Sequence, residues 1–285
     1  MAPRAGRPRV VTLSTDVGSA YAAQMKGVLL HSLPPDRIVD LTHDLPAHGV
    51  REAAFVVRAM ATPFPAGSVH LVVVDPGVGG GRAPLAAACA DGSRLVGPDN
   101  GVLLPLAEAL GGATFYRIDP RRVVRAGRVG TTFDGRDLFA PAAAQLARGV
   151  RPSSLGPTIV PVGQPLPHAV RRVGRADGEV VHIDRFGNLI TNIPSDWVPR
   201  KPGPVTVRVG SRRGRRVPWA TSYAEIGRGR LGALGSSFGT VEVAVGEGRA
   251  ARRLQAEVGD EVALRWRGGR ARATSTVNSD RPRRR

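Results

Sequence analysis

A single cysteine in 285 residues excludes a disulfide framework, and a chain of this length buries a core without staples or structural metals. Cys89 stands in the alanine-rich run Leu85–Ala90, which reads as a buried strand with no histidine close in sequence. A packed thiol is therefore expected rather than a nucleophile. No run approaches the roughly 18 to 20 apolar residues of a membrane span. Met1–Arg9 lacks the hydrophobic region of a secretory signal, so a cytoplasmic address with no membrane partner is expected. Lysine is almost missing as well. Lys26 and Lys201 are the only two, so arginine carries the formal charge of +18. The arginines are spread along the chain, and their densest clusters, Arg121-Arg122, Arg212–Arg216 around Gly214 and Arg283–Arg285, fall in polar loops and at the tail. Without zinc-finger spacing, an aromatic RNA-binding signature or a helix-turn-helix pattern, this charge reads as solvated loops and argues against nucleic acid as a dedicated partner. An RNA-associated protein is the rival reading, and it predicts affinity that falls steeply with salt.

What is present changes character once along the chain. From Val10 to about Gly149, short apolar runs (Val10–Leu13, Ile38–Leu41, Val69–Val74, Leu95-Val96) alternate with helical stretches at Tyr21–Leu33, Gly49–Ala61 and Val102–Leu110. That alternation predicts an α/β domain over 10–150 with a mostly parallel sheet and flanking helices. Five prolines between Arg151 and His168 mark 151–168 as a linker. Valine-rich runs separated by glycine turns (Val180–Ile183, Val205–Val209, Val241–Val245, Glu261–Trp266) then predict a small antiparallel β-barrel domain over 169–273. The basic segment 1–9 and the polar segment 274–285 read as disordered tails.

Chemistry concentrates where predicted strands give way to turns. Val69–Val74 reads as a strand covered on both faces, and it runs into Asp75-Pro76-Gly77-Val78-Gly79-Gly80-Gly81-Arg82. The turn lacks the Gly-Lys-Ser/Thr of a phosphate loop and has Arg82 in the last glycine slot of a dinucleotide fingerprint. It either brackets a reactive site with a charged pair or braces itself with a salt bridge. Asp16, after the first strand, can accept from a vicinal diol or cap the next helix. Gly97-Pro98-Asp99-Asn100-Gly101 has turn composition. Thr131–Pro141 packs Asp134, Arg136 and Asp137 into four residues ahead of a helix, and a capping role suits Asp137. Asp184–Asn188 offers an aromatic, a carboxylate and an amide inside a strand pair, suited to a purine or to a hairpin turn. His43 and His48 are five apart with Pro46 between them, unlike a helical zinc pair, and read as loop histidines with no metal.

Taken in order, T-D-x-G, M-K-G, V-D-P-G-V-G, P-D-N-G, T-F-x-G-R-D-x-F-A-P, D-x-F-G-N-x-x-T-N and G-S-S-x-G-x-x-E-x-A-V resemble the adenosine-forming S-adenosyl-L-methionine hydrolases. These are also called hydroxide adenosyltransferases and are relatives of the fluorinase and chlorinase. The similarity spans roughly residues 10 to 270. It implies an α/β domain followed by a small barrel, a homotrimer with sites between subunits, S-adenosyl-L-methionine as substrate, and no cofactor. It further implies that Asp16 binds the ribose hydroxyls, Asp184 the methionine amine and Ser237 the methionine end. Phe186 would lie beside adenine and Asn188 would read it, with Thr132 and Phe133 as weaker contacts. Asp75 and Arg82 match residues that handle the attacking water.

Two departures stand out. The family's histidine in T-F-H-G-R-D is Asp134 here, and the aspartate that often follows T-D-F-G has no counterpart in Ser19-Ala20-Tyr21. Where halogenases place tyrosine this chain has Asp75, and Val78 and Gly135 replace the fluorinase's threonine and serine, a choice that favours water over halide. The resemblance implies hydrolysis by in-line attack of water on the ribose C5′, with neutral methionine leaving. Asp134 would replace the histidine as acceptor or orienter. Two carboxylates at one site push one another's proton affinity up, and Arg82 between them pulls it back. A halogenase, and a protein that binds S-adenosylmethionine or adenosine without turnover, are the competing readings.

Overall fold

The computed structural model describes residues 9–124, 132–163 and 166–267, which divide into two compact units on either side of the Leu166–Pro167 junction. Of the tails expected at 1–9 and 274–285, residues 1–8 and 274–285 lie outside the described residues, as does Thr131 of the fourth motif.

The first unit is an α/β sandwich. Its elements in chain order are β1 (Val11–Thr15), α1 (Gly18–Leu30), β2 (Ile38–Thr42), α2 (Val50–Ala61), β3 (Val69–Val73), β4 (Pro84–Cys89), β5 (Arg94–Pro98), α3 (Leu104–Ala109), β6 (Ala113–Arg117) and α4 (Ala140–Ala147). The strands form one sheet in the order β2-β1-β3-β5-β4-β6. β1, β2, β3 and β5 run parallel, while β4 turns back against β5 and β6 against β4. Every residue of β1 and β3 is buried, the pattern of strands covered on both faces. On one face Val11, Leu13, Val69, Leu71 and Val73 meet Met25 and Leu29 of α1 and the alanines of α4. Each such side chain contributes roughly 1.5–3 kcal/mol by leaving water. On the other face His70 faces Thr12, with Nδ1 2.8 Å from the hydroxyl and the Phe64 ring edge-on.

Two stretches differ from their composition. Arg9, grouped with the basic tail, is fastened: its N–H donates to the Ala147 carbonyl and its guanidinium to Gly67 and Gly92. The proline-rich stretch also packs on the first unit, for Ile159 N–H donates to Phe115 and Val162 N–H to the buried Asp99 carboxylate at 2.7 Å. Proline supplied the breaker signal, but the backbone between the prolines still has donors to place.

The second unit continues with β7 (Val170–Arg172), β8 (Arg175–Ile183), β9 (Leu189–Pro194), β10 (Val205–Val209), β11 (Arg215–Val217), β12 (Trp219-Ala220), β13 (Leu231–Gly235), β14 (Thr240–Val245), α5 (Ala250–Leu254) and β15 (Glu261–Arg265). Their order is β11-β10-β15-β8-β9-β14-β13-β12, with β7 beside β8. β11 and β12 end the sheet yet adjoin in sequence across Pro218, so the sheet curls into a nearly closed barrel. Only the β12–β13 pair is parallel. Alternate residues fill the barrel, among them Val205, Val207 and Val209 with Val241, Val243 and Val245.

Candidate active site

β1 and β3 end in register, with Thr15 opposite Val73, so Asp16 and Asp75 leave the same carboxyl edge of the sheet. After the buried Val74, the turn folds on itself. Val78 N–H donates to Asp75 O and Gly80 N–H to Gly77 O, and Gly79 supplies a φ of 76°. This tight return swings Arg82 back over Asp75. Arg82 Nε lies 3.0 Å from both Asp75 carboxylate oxygens, and Nη2 lies 2.5 Å from Asp75 Oδ2 and 2.5 Å from Asp134 Oδ2. The three side chains are only 6–12% exposed. Phe139 presents its ring 5.3 Å from the guanidinium carbon. Burial alone would loosen the Arg82 proton, but hydrogen bonds and charge from both aspartates outweigh it and raise the guanidinium above its ordinary value.

Asp134 arrives from a different element. It precedes a π-helical turn, Gly135–Phe139, that runs directly into α4. Such wide turns rotate side chains out of α-helical phase. At Gly135 a Cβ would stand 2.9 Å from the Phe133 ring and 3.1 Å from Met25 Sδ, so a side chain beside Asp134 would require Phe133 or Met25 to shift. Asp137 does not cap the helix. The turn is already under way at Gly135, and Asp137 pairs instead with Arg136 at 2.6 and 3.0 Å. Phe133 carries Tyr21 edge-on at 5.3 Å and Arg136 over its ring at 5.5 Å, while Thr132 is exposed.

Asp16 is not a cap either, because α1 begins at Gly18 with no side-chain cap bond. Its Oδ2 accepts from the backbone N–H of His48 at 3.3 Å, and His48 holds a φ of 62°. His43 Nδ1 lies 3.1 Å from Thr15 Oγ1 and Nε2 3.2 Å from Asp40 Oδ1, so it braces the strand end. Asn100 has the structural role its turn composition allows, donating to Val74 O at 2.9 Å. Cys89 is buried, and burial pushes its thiol up to about 12. Among the described residues no group of three or more His, Cys, Asp or Glu is arranged to hold a metal ion, and no helix is long and apolar enough to cross a membrane.

In the second unit Asp184–Asn188 is the hairpin loop joining β8 and β9. Asp184 Oδ1 accepts from the N–H groups of Phe186 and Asn188, and Oδ2 from Asn188 Nδ2 at 3.0 Å. This closed loop buries Asn188 and leaves Phe186 63% exposed. An open cleft of about 840 Å³ lies beside it, lined among others by Asp184, Phe186, Asn188 and Ser237, four of the residues singled out from sequence. Tyr223 also lines it and was not anticipated. Its hydroxyl donates to Glu242, a 2%-exposed glutamate in the valine-rich strand β14. A charge in mid-strand among Val241, Val243 and Val245 was the available signal for Glu242. Nothing local marked Tyr223.

Residues 11–156 match the N-terminal domain and residues 178–263 the C-terminal domain of the SAM hydroxide adenosyltransferase family. The (R)-S-adenosyl-L-methionine hydrolase of Thermus thermophilus is 40% identical over 266 residues, covering 90% of this chain and 99% of that protein. Its namesake from Salinispora tropica is 38% identical over 257 residues, 88% and 96% of the two chains. A fluorinase from an Actinoplanes species is 29% identical over 221 residues, 67% of this chain and 73% of that one. A crystal structure of a conserved Thermotoga maritima protein superposes with a TM-score of 0.83 at 33% identity, covering 90% of this chain and 99% of that one. With the paired domains, the co-linear relatives and the shared architecture, the chain belongs to the SAM hydroxide adenosyltransferase family.

Proposed function

We propose that this protein hydrolyses S-adenosyl-L-methionine to adenosine and L-methionine. The observation that carries the reading is the buried Asp75–Arg82–Asp134 cluster at the carboxyl edge of the sheet. Water attacks the ribose C5′ in line with the sulfonium. The new C–O bond forms as the C–S bond breaks, the electron pair passes to sulfur, and methionine leaves as a neutral thioether. Since the leaving group needs no proton, only the attacking water must lose one. Asp75, aligned by Arg82, orients that water and receives the proton, and Asp134 is the second acceptor that keeps the guanidinium in place. The sulfonium is already an activated leaving group, so the chemistry asks for no further cofactor.

Asp16 takes the ribose diol at the same edge, with Thr132 and Phe133 nearby. In the barrel unit Phe186 lies against adenine, Asn188 reads its edge, and Asp184 and Ser237 hold the methionine end. The complete site forms between subunits of a homotrimer. The reaction runs in the cytoplasm, which suits a chain with one buried thiol.

Incubation with S-adenosyl-L-methionine followed by chromatography tests the reading. Adenosine and methionine in equal amounts are expected. Substrate bound in calorimetry but recovered intact would overturn hydrolysis in favour of a binding protein, and 5′-halo-adenosine formed with chloride or fluoride would overturn it in favour of a halogenase.

A further inference from the structure

Glu242 is the buried acid for which the proposed reaction has no use. It sits in mid-strand on β14, whose six residues are all buried, and it pairs with Leu234 on β13 and Ile190 on β9. Val241, Val243 and Val245 on the same strand point into the barrel core. Glu242 and Ala244 take the opposite face, where Ala244 packs with Ala220, Ile226 and Leu234. The segment covering that face is the one-turn helix Tyr223–Ile226, itself pinned because Glu225 accepts from the Thr221 N–H and hydroxyl at 2.9 and 2.6 Å. From this turn Tyr223 sends its hydroxyl inward to Glu242 Oε1 at 2.7 Å, while 53% of the residue remains exposed on the cleft that Phe186 and Asn188 also line.

A carboxylate is a costly thing to bury, and a phenol alone does not require one, since a glutamine carbonyl would also accept its proton. A charged acceptor binds a hydroxyl roughly twice as strongly as a neutral one. The charge also has company. Asp184, on the cleft wall, is close enough to push the Glu242 carboxyl upward beyond what burial does. Asp184 and Glu242 thus place two neighbouring carboxyl groups on one side of a cleft that Arg185, Arg228 and Arg249 also line.

We infer that Glu242 is a positioning residue that fixes the Tyr223 ring as a wall of the adenosyl-binding cleft. The inference rests on the proposed adenosyl function and deepens it. Tyr223 touches ligand through its ring, and Glu242 acts only through the Tyr223 hydroxyl.

The test uses the full-length protein with Tyr223→Phe, Glu242→Ala, Glu242→Gln and the double variant Tyr223→Phe/Glu242→Ala. Calorimetry with adenosine is run beside steady-state hydrolysis, and circular dichroism checks each fold. Glu242→Ala and Tyr223→Phe are expected to raise KM and the adenosine Kd about ten-fold while kcat moves less than about three-fold. Glu242→Gln is expected to restore most of the affinity, and the double variant to bind no worse than the poorer single one. Unchanged affinity in folded Tyr223→Phe and Glu242→Ala, additive losses in the double variant, or kcat falling with KM constant would each overturn the assignment. Wild-type protein that binds adenosine without hydrolysing S-adenosylmethionine would overturn the proposed reaction and leave this inference standing on Kd. Wild-type protein that binds no adenosine would overturn both.

Discussion

Asp75 and Arg82, seven residues apart on one glycine turn, form a forked ion pair in which two guanidinium nitrogens grip one carboxylate. Both side chains are almost fully withdrawn from solvent. Removing one partner of such a pair strands the other. Arg82→Leu leaves two buried carboxylates facing one another and should cost about 3–5 kcal/mol in denaturant unfolding, whereas Asp75→Asn keeps an acceptor and should cost less. In single-turnover assays both are expected to lose at least about a hundred-fold in rate. A folded Asp75→Asn enzyme with wild-type turnover would remove Asp75 from the chemistry.

Asp134 accepts from Arg82 Nη2 through Oδ2, while Asp75 takes both Nε and Nη2, so the role expected of Asp134 is to orient the guanidinium. Asp134→Ala should lower the single-turnover rate by about ten- to a hundred-fold, and Asp134→His, the residue that the motif resemblance implies at this position, should recover most of it. An unaltered rate in Asp134→Ala would leave the aspartate as a brace alone.

At Gly135 the obstacle is steric. Gly135→Ser drives a Cβ into the Phe133 ring and Met25 and is expected to lower stability by about 1–3 kcal/mol, read as a fall in Tm. The same variant should yield no 5′-halo-adenosine, because the new hydroxyl arrives with the aromatic wall displaced. An unperturbed Tm would show that Phe133 relaxes freely.

His70 makes stability depend on pH. Burial holds its imidazole down at about 4, against an ordinary 6.5, while Asp91 pulls weakly the other way. Below pH 6.5 the unfolded chain takes up a proton that the folded chain refuses. The stability present above 6.5 is therefore lost as pH falls from 6.5 toward 4, by about 3 kcal/mol in all. Thermal unfolding between pH 7.5 and 4.5 should show this slope in the wild type and a shallower one in His70→Gln. Parallel curves would exclude His70 as its source.

For Cys89, a thiol pushed up to about 12 inside a packed strand should resist alkylation at pH 8 until the protein unfolds. Rapid modification of the native protein would contradict its burial.

The strands with continuous apolar runs, such as Val69–Val73, were legible because burial on both faces writes itself into composition. β6 (Ala113–Arg117), half exposed at the sheet edge, and the short β11 and β12 left no such pattern. Asp75 and Arg82 could be paired on paper because one turn carries both. The contact of Arg82 with Asp134 spans 52 residues and depends on how α4 docks, which local sequence does not encode. Asp137 does not take the capping role its composition suggests because a π turn begins two residues before it, at Gly135. Glu242 and Tyr223 meet only through the curvature of the barrel and the turn laid over it.

The carboxylate of Asp16 is gripped by the main chain of position 48, not by the imidazole there. Exchange of that side chain leaves the donor intact, and proline alone among the twenty would delete it. The loop can therefore accept many residues at its crest, asparagine and glycine most comfortably given the left-handed backbone, while Asp16 keeps its aim. Fidelity at this corner of the sheet is inherited through chain geometry, leaving the surface above it free to diverge.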